Sequence, residues 1–284
     1  MKLIALGDNV IDYYRNTQEC FPGGNAVNVA VHAARLGAQA EYLGSLGDDK
    51  MVPILKKALE ENNVDTSHCP ILPGHTTKVC VYDVLNGERS FVRVVTGESW
   101  TGPLRIGAAE LAELKTADLI VSSCNAKMPE QMAAVQALPA IFAYDFGEKE
   151  KYRTADYYDA VCHNMDLALL SCKPMDEAAF ADLCAPLHRR GVVHVLATMG
   201  AAGQMLSVQG KIIKKTTQMV NASDTMGAGD SFLAAFLCSL YTAGWHKGMP
   251  MPEQALLAAL EAGQQVSARN CMVRGGFGCK AEIS

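Results

Sequence analysis

The residues best suited to chemistry sit in one short segment, NASDTMGAGDSFLAAFLCSLYTAG, residues 221–244. Gly227, Ala228, Gly229 and Asp230 directly precede an apolar run of helical period, which places their amides at a helix N-terminus. Unpaired N–H groups and the positive end of the helix dipole suit a polyphosphate there, and small residues let it approach the main chain. A carboxylate at Asp230 would be repelled by that anion unless it faced a hydroxyl, orienting it and taking its proton as it attacks phosphorus. The plainer alternative is a glycine turn followed by a first-turn acid. A second segment, FPGGNAVNVAVHAARLG, residues 21–37, reads as a helix with Asn25 and Asn28 on one face. Paired carboxamides can bond adjacent hydroxyls of a polyol; Asn25 as a helix cap is the alternative. Asp8, Asn9 and Asp12 follow the first apolar run, at the edge where open α/β sheets collect ligands, or else they satisfy turn amides. VVHVLAT runs into Thr198, Met199, Gly200, Ala201, Ala202 and Gly203, small enough to admit a base or phosphate tail, or to form a hairpin turn.

These segments need a scaffold, and the chain alternates in a way that supplies one. KLIALG is a short apolar run ending in glycine, followed by a helical stretch, and the rhythm recurs through QAEYLGSLG, DLIVSS, AIFAYDF, LALLS and VVHVLAT. Helical stretches of suitable length separate most of these runs, which predicts a mainly parallel sheet covered on both faces. Residues 76–95 break the rhythm: two β-rich runs flank Asn86 and Gly87, a hairpin signal. Such a hairpin predicts a small β lid beside the main sheet, together with residues near 12–17. GQMLSVQGKIIKK reads as a second hairpin, and two helices follow the glycine-rich segment.

Composition narrows the functional classes. With 284 residues, 49% hydrophobic and 19% charged, the chain can bury a large core. A net charge of −5 argues against non-specific binding to nucleic acid or an anionic membrane. No run approaches a bilayer span, and Gly7, Asp8 and Asp12 interrupt the first apolar stretch too early for a signal peptide, so a cytoplasmic location is expected. The ten cysteines show no CxxC pair and read as reduced thiols, with Cys271 and Cys279 the one pair to watch.

Together these segments resemble the PfkB, or ribokinase-like, carbohydrate kinases. The glycine-glycine helix with Asn28 and the downstream LGSLGDD match the family's N-terminal motif, and DTMGAGDSFLAAF matches its C-terminal one, over essentially the whole chain. The resemblance implies a three-layer α/β/α domain spanning residues 1–284, with a mainly parallel central sheet and lid segments near 12–20 and 76–98. It implies transfer of the ATP γ-phosphoryl group to a sugar hydroxyl, with Asp230 as base and Gly227, Ala228 and Gly229 forming the anion hole. Asp8, Asp12, Gly24, Asn25 and Asn28 then fall to the sugar, and Thr198, Gly200, Gly203 and Thr225 to the nucleotide. Asp224 matches a carboxylate that helps hold a monovalent cation in many members, implying potassium activation. One departure concerns Mg²⁺: the family's Asn-x-x-Glu motif is replaced by SCKPMDE, with Ser171 near the Asn position and Asp176 or Glu177 as candidate substitutes. The Mg²⁺ requirement itself stands, since phosphoryl transfer needs charge neutralisation.

GDNVID and the FPGGNAVNVAVHAARLG that follows are similar to the members that phosphorylate fructoselysine at its 6-hydroxyl. On that resemblance Arg89, Arg93 and Glu98 of the lid become candidates for pairing with the carboxylate and amine of a glycated amino acid, or else are solvated charges. Fructose, ribose or a nucleoside as acceptor is the nearest alternative, and a non-catalytic sugar sensor a more distant one. A dinucleotide-dependent oxidoreductase lacks its GxGxxG after the first strand. Lid hairpins in many members of the family pair between subunits, which makes a homodimer through the lid physically reasonable, although no residue demands it.

Overall fold

Alternate residues of β1 (Lys2–Leu6) face opposite ways: Leu3 and Ala5 enter one apolar cluster, Ile4 and Leu6 another. A strand buried on both faces needs helices above and below, and the chain supplies them. The computed structural model describes residues 1–85, 88–217 and 220–281. After β1 come β2 (Val10–Tyr14), β3 (Glu19–Gly23), α1 (Asn25–Arg35), β4 (Gln39–Leu43), α2 (Met51–Glu61), β5 (Val79–Leu85) and β6 (Glu88–Val95). The middle contains α3 (Ala108–Leu114), β7 (Leu119–Ser123), α4 (Met132–Gln136), β8 (Ile141–Asp145), α5 (Ala155–Val161), β9 (Leu167–Ser171) and α6 (Glu177–His188). The chain continues through β10 (His194–Thr198), β11 (Gln204–Val208), β12 (Lys211–Lys215), α7 (Ala228–Thr242) and α8 (Glu253–Asn270).

The main sheet has the order β12-β11-β10-β9-β8-β7-β1-β4. All pairings from β4 to β10 are parallel, and β11 and β12 add the expected antiparallel hairpin at one edge. Val27 of α1, Leu55 of α2, Phe236 of α7 and Leu260 of α8 pack on one face; Leu114, Val135, Val161 and Phe180, from α3 to α6, pack on the other. This is the three-layer α/β/α arrangement. All ten cysteines are described and none is in a disulfide. Among the described residues, no helix is long and apolar enough to cross a membrane.

The lid is a second sheet, β3-β2-β5-β6, in which β2 pairs antiparallel with β3 and parallel with β5. β5 and β6 form the expected antiparallel arms, with a register shift between Val81 and Tyr82. Their turn, Asn86 and Gly87, lies outside the described residues, as does the side chain of Arg89. One boundary differs from the sequence reading. Phe21, Pro22 and Gly23 end strand β3 and do not open the helix. Pro22 is accommodated because β3 is an edge strand, where a missing N–H costs no ladder bond. The lid therefore reaches Gly23, and Gly24 alone separates it from α1.

Candidate active site

Four elements that end at the C-terminal edge of the sheet, or start above it, bring the motif residues together. Asp230 stands in the first turn of α7, whose N-cap, Gly227, takes a left-handed conformation (φ 70°). A side chain there would also strike the main chain of Gly276, at 2.3 Å from its carbonyl oxygen. Asn25 and Asn28, in the first turn of α1, both reach the Asp230 carboxylate: Asn25 Nδ2 donates to Oδ1 at 2.7 Å and Asn28 Nδ2 to Oδ2 at 2.6 Å. Asn28 Oδ1 is buried with no hydrogen-bond partner among the described residues, an acceptor that a sugar hydroxyl would satisfy. The carboxylate of buried Asp12 points to the same place, since a Cβ on Gly23 would lie 2.6 Å from Asp12 Oδ2 and 3.7 Å from Asn28 Oδ1. Gly24 lies against the main chain of Asp8 and Asn9, so the β1–β2 loop rests on the start of α1.

The sequence reading missed a second carboxylate in this cluster. Asp145, the last residue of β8, accepts from Asn25 Nδ2 at 3.0 Å and from the Gly147 amide at 2.7 Å. Asn25 thus bridges two acids. Burial pushes Asp145 up to about 6, against the lowering effect of those two donors, and the charge of Asp8 adds to the rise. An Asp at the C-terminal end of a strand was the available signal, hidden in a run that otherwise reads as plain core.

Behind the cluster, the loop after α8 closes against α1. His32 Nε2 donates to Gly276 O at 3.0 Å, and burial holds this ring down to about 4, so it is neutral. A Cβ on Gly276 would sit 2.2 Å from Asn28 Oδ1, so only glycine leaves that carboxamide its place. Asp224 is fully buried and accepts from Tyr14 OH at 2.5 Å, Met226 N at 2.9 Å and Gly275 N at 2.9 Å. Its carboxylate clasps lid strand β2 to the loop before α7 and the loop after α8.

Of the expected anion-hole amides, that of Ala228 is turned to Thr225 O at 3.3 Å; at Gly229 a side chain would meet no atom within 4 Å. Thr225 is exposed just before this turn. Thr198 ends β10, and Gly200 and Gly203 bound the short turn into β11, with Gly203 packed against Lys215 O. Asn9 is engaged structurally, donating to Tyr42 OH and Ser45 O at 2.8 and 2.9 Å. At the altered metal motif, Asp176 caps α6 through the Ala179 amide, and Glu177 pairs with Lys214 at 2.7 Å. Arg93 and Glu98 are exposed and do not line the pocket beside Asp8. That pocket is lined instead by Asp8, Asn9, Ser45, Lys78, Trp100 and Asn125, among others. The one cluster of three ligating side chains found among the described residues, Glu41, His68 and Glu113, holds the Lys2 ammonium.

The model of the pfkB family carbohydrate kinases matches residues 2–275. The chain belongs to this family. This kinase is 31% identical over 280 residues to fructosamine kinase FrlD of Bacillus subtilis, covering 98% of this chain and 93% of the relative. It is 29% identical over 278 residues to fructoselysine 6-kinase of Escherichia coli, covering 98% of this chain and all of the relative. Among solved structures, a fructokinase with bound ATP from Xylella fastidiosa superposes with a TM-score of 0.82 at 20% identity, covering 97% of this kinase and 94% of the other chain. The chain is an ATP-dependent sugar kinase.

Proposed function

We propose that this kinase transfers the γ-phosphoryl group of ATP to the 6-hydroxyl of fructoselysine, giving fructoselysine 6-phosphate, as a single cytoplasmic domain covering residues 1–284. The substrate assignment is supported by the two relatives at 31% and 29% identity over nearly the full chain. The observation that carries the chemistry is the Asp230 carboxylate, gripped by both Asn25 and Asn28 at the mouth of α7.

In this mechanism Asn28 Oδ1 and Asp12 orient the sugar, with Asp8, Gly24, Asn25 and Asp145 completing its cradle. Asp230 accepts the proton of the 6-hydroxyl as its oxygen attacks the γ-phosphorus in line and ADP departs. First-turn amides of α7 other than that of Ala228, lacking acceptors within the helix, face the charge that builds on the phosphoryl oxygens. Thr198, Gly200, Gly203 and Thr225 bound the nucleotide. Mg²⁺ entering with ATP would supply charge neutralisation at the phosphates; Asp176 already caps α6 and Glu177 already pairs with Lys214. Potassium at Asp224 would join a carboxylate that already accepts three protein donors, so no step depends on it. The exposed edge strand β6 docks on its counterpart in a second copy.

Asp230→Asn tests the base: kcat should fall about 10²–10⁴-fold with ATP affinity retained. Unchanged turnover would retire the role of Asp230. A coupled assay across fructoselysine, fructose and ribose tests the acceptor, and a higher kcat/KM for either free sugar would remove the fructoselysine assignment.

A further inference from the structure

The pocket beside Asp8 contains more charge than a neutral sugar requires. Lys78, immediately before β5, is buried, with its Nζ 3.9 Å from Asp8 Oδ2 and 5.8 Å from the centroid of the Trp100 ring. Lys127, exposed at the rim and outside the pocket's lining, reaches the same ring from the loop after β7, its Nζ 5.0 Å from the centroid. Two ammonium groups sharing one indole repel each other; burial, with the charges of Lys78 and Lys151, lowers the pKa of Lys127. A single anion placed between them would relieve that repulsion. Asp8 contributes the opposite charge. Its Oδ1 is buried without a hydrogen-bond partner among the described residues, and its main chain lies against Gly24, next to the sugar-facing carboxamides. Beside the sugar-facing carboxamides there is thus a buried carboxylate oxygen without a hydrogen-bond partner among the described residues, and near it two ammonium groups that approach one indole.

We infer that this pocket is the subsite for the amino-acid end of the substrate, with Asp8 Oδ1 accepting from the protonated amine next to the sugar and Lys78 and Lys127 binding the carboxylate beyond it. The assignment rests on the glycated amino acid proposed above and adds its determinants of specificity. A zwitterion fits better than a sugar phosphate, because Asp8 would stand close to a dianion with no ammonium to offset it. It also replaces Arg93 and Glu98 in the role that the sequence suggested for them. Charge-assisted bonds of this kind are each worth roughly 10- to 100-fold in affinity.

The test is a cycle across enzyme and substrate. kcat/KM is measured for fructoselysine, for the matching fructosyl adduct of cadaverine, which lacks only the carboxylate, for fructose 1-phosphate and for fructose, in wild type and in Lys127→Gln. In wild type, fructoselysine should exceed the cadaverine adduct about 10- to 100-fold, and in Lys127→Gln that ratio should collapse toward one. Taking the ratio cancels any general damage done by the substitution. An adduct used as well as fructoselysine, or a ratio unchanged in the variant, overturns the subsite while leaving the fructoselysine reading intact. A wild-type preference for fructose overturns both, and a preference for fructose 1-phosphate replaces the zwitterion with a phosphate.

Discussion

Asp145 and Asp230 share a donor yet differ in environment. Asp145 sits deep at the end of β8, where burial lifts it to about 6, whereas Asp230 opens toward the mouth of α7. An acid whose pKa is higher folded than unfolded favours the native state while protonated. That contribution is complete below the unfolded value near 3.9 and is lost as pH rises through 6. Above pH 6 the ionised Asp145 thus costs on the order of 3 kcal/mol relative to a neutral group of the same shape. Asp145→Asn should remove this cost: the stability difference between variant and wild type, measured by urea unfolding, should grow in the variant's favour from pH 4 to about 6.5 and stay level above it. A difference that does not change with pH would show that Asp145 does not titrate in this window. Local pattern made Asp230, Asn25 and Asn28 legible, since each lies in the first turn of a helix whose period the sequence displays. Asp145, Lys78, Trp100 and Lys127 come from separate elements, and no short spacing connects them. Arg93 came from the lid's place in the family pattern rather than from a local spacing, and it is exposed on β6, past a register shift between Val81 and Tyr82.

At the scale of elements, the site depends on how α1, α7 and the loop after α8 meet. The glycine at 276 allows that loop to press on Asn28, and His32 holds it there with a bond to the Gly276 carbonyl. Gly276→Ala would place a methyl group within 2.2 Å of Asn28 Oδ1. The carboxamide must then leave Asp230 or the loop must retreat, at a cost of about 1–3 kcal/mol. The expected result is a lower melting temperature together with a raised KM for the sugar and a lowered kcat; sugar kinetics identical to wild type would mean that the loop does not position Asn28. The strand–helix alternation of the main sheet was readable because each buried strand is a short apolar run ending at a glycine or polar loop. The extent of β3 was not, because a Phe-Pro-Gly-Gly run is equally suited to a turn before a helix and to an edge strand.

For the whole molecule, the lid leaves an unfinished sheet. β6 is an edge strand whose apolar side chains are largely open to solvent among the described residues, with Phe91 59% and Val94 46% accessible. A second copy docked across β6 would cover them. Light scattering after gel filtration should give the mass of a dimer, and Val94→Lys, which charges the edge, should shift it to a monomer; a wild-type monomer would exclude the pairing.

A single residue, Gly24, joins lid strand β3 to the helix bearing Asn25 and Asn28, so the roof is one residue away from the two amides that hold the base. A cover mechanically geared to its own proton acceptor guards against water as an unwanted nucleophile, for an open roof leaves the acid misaimed. Slow ATP breakdown without sugar, hastened when two glycines are inserted after Gly24, is the signature of such gearing, and equal rates would show that the joint transmits nothing.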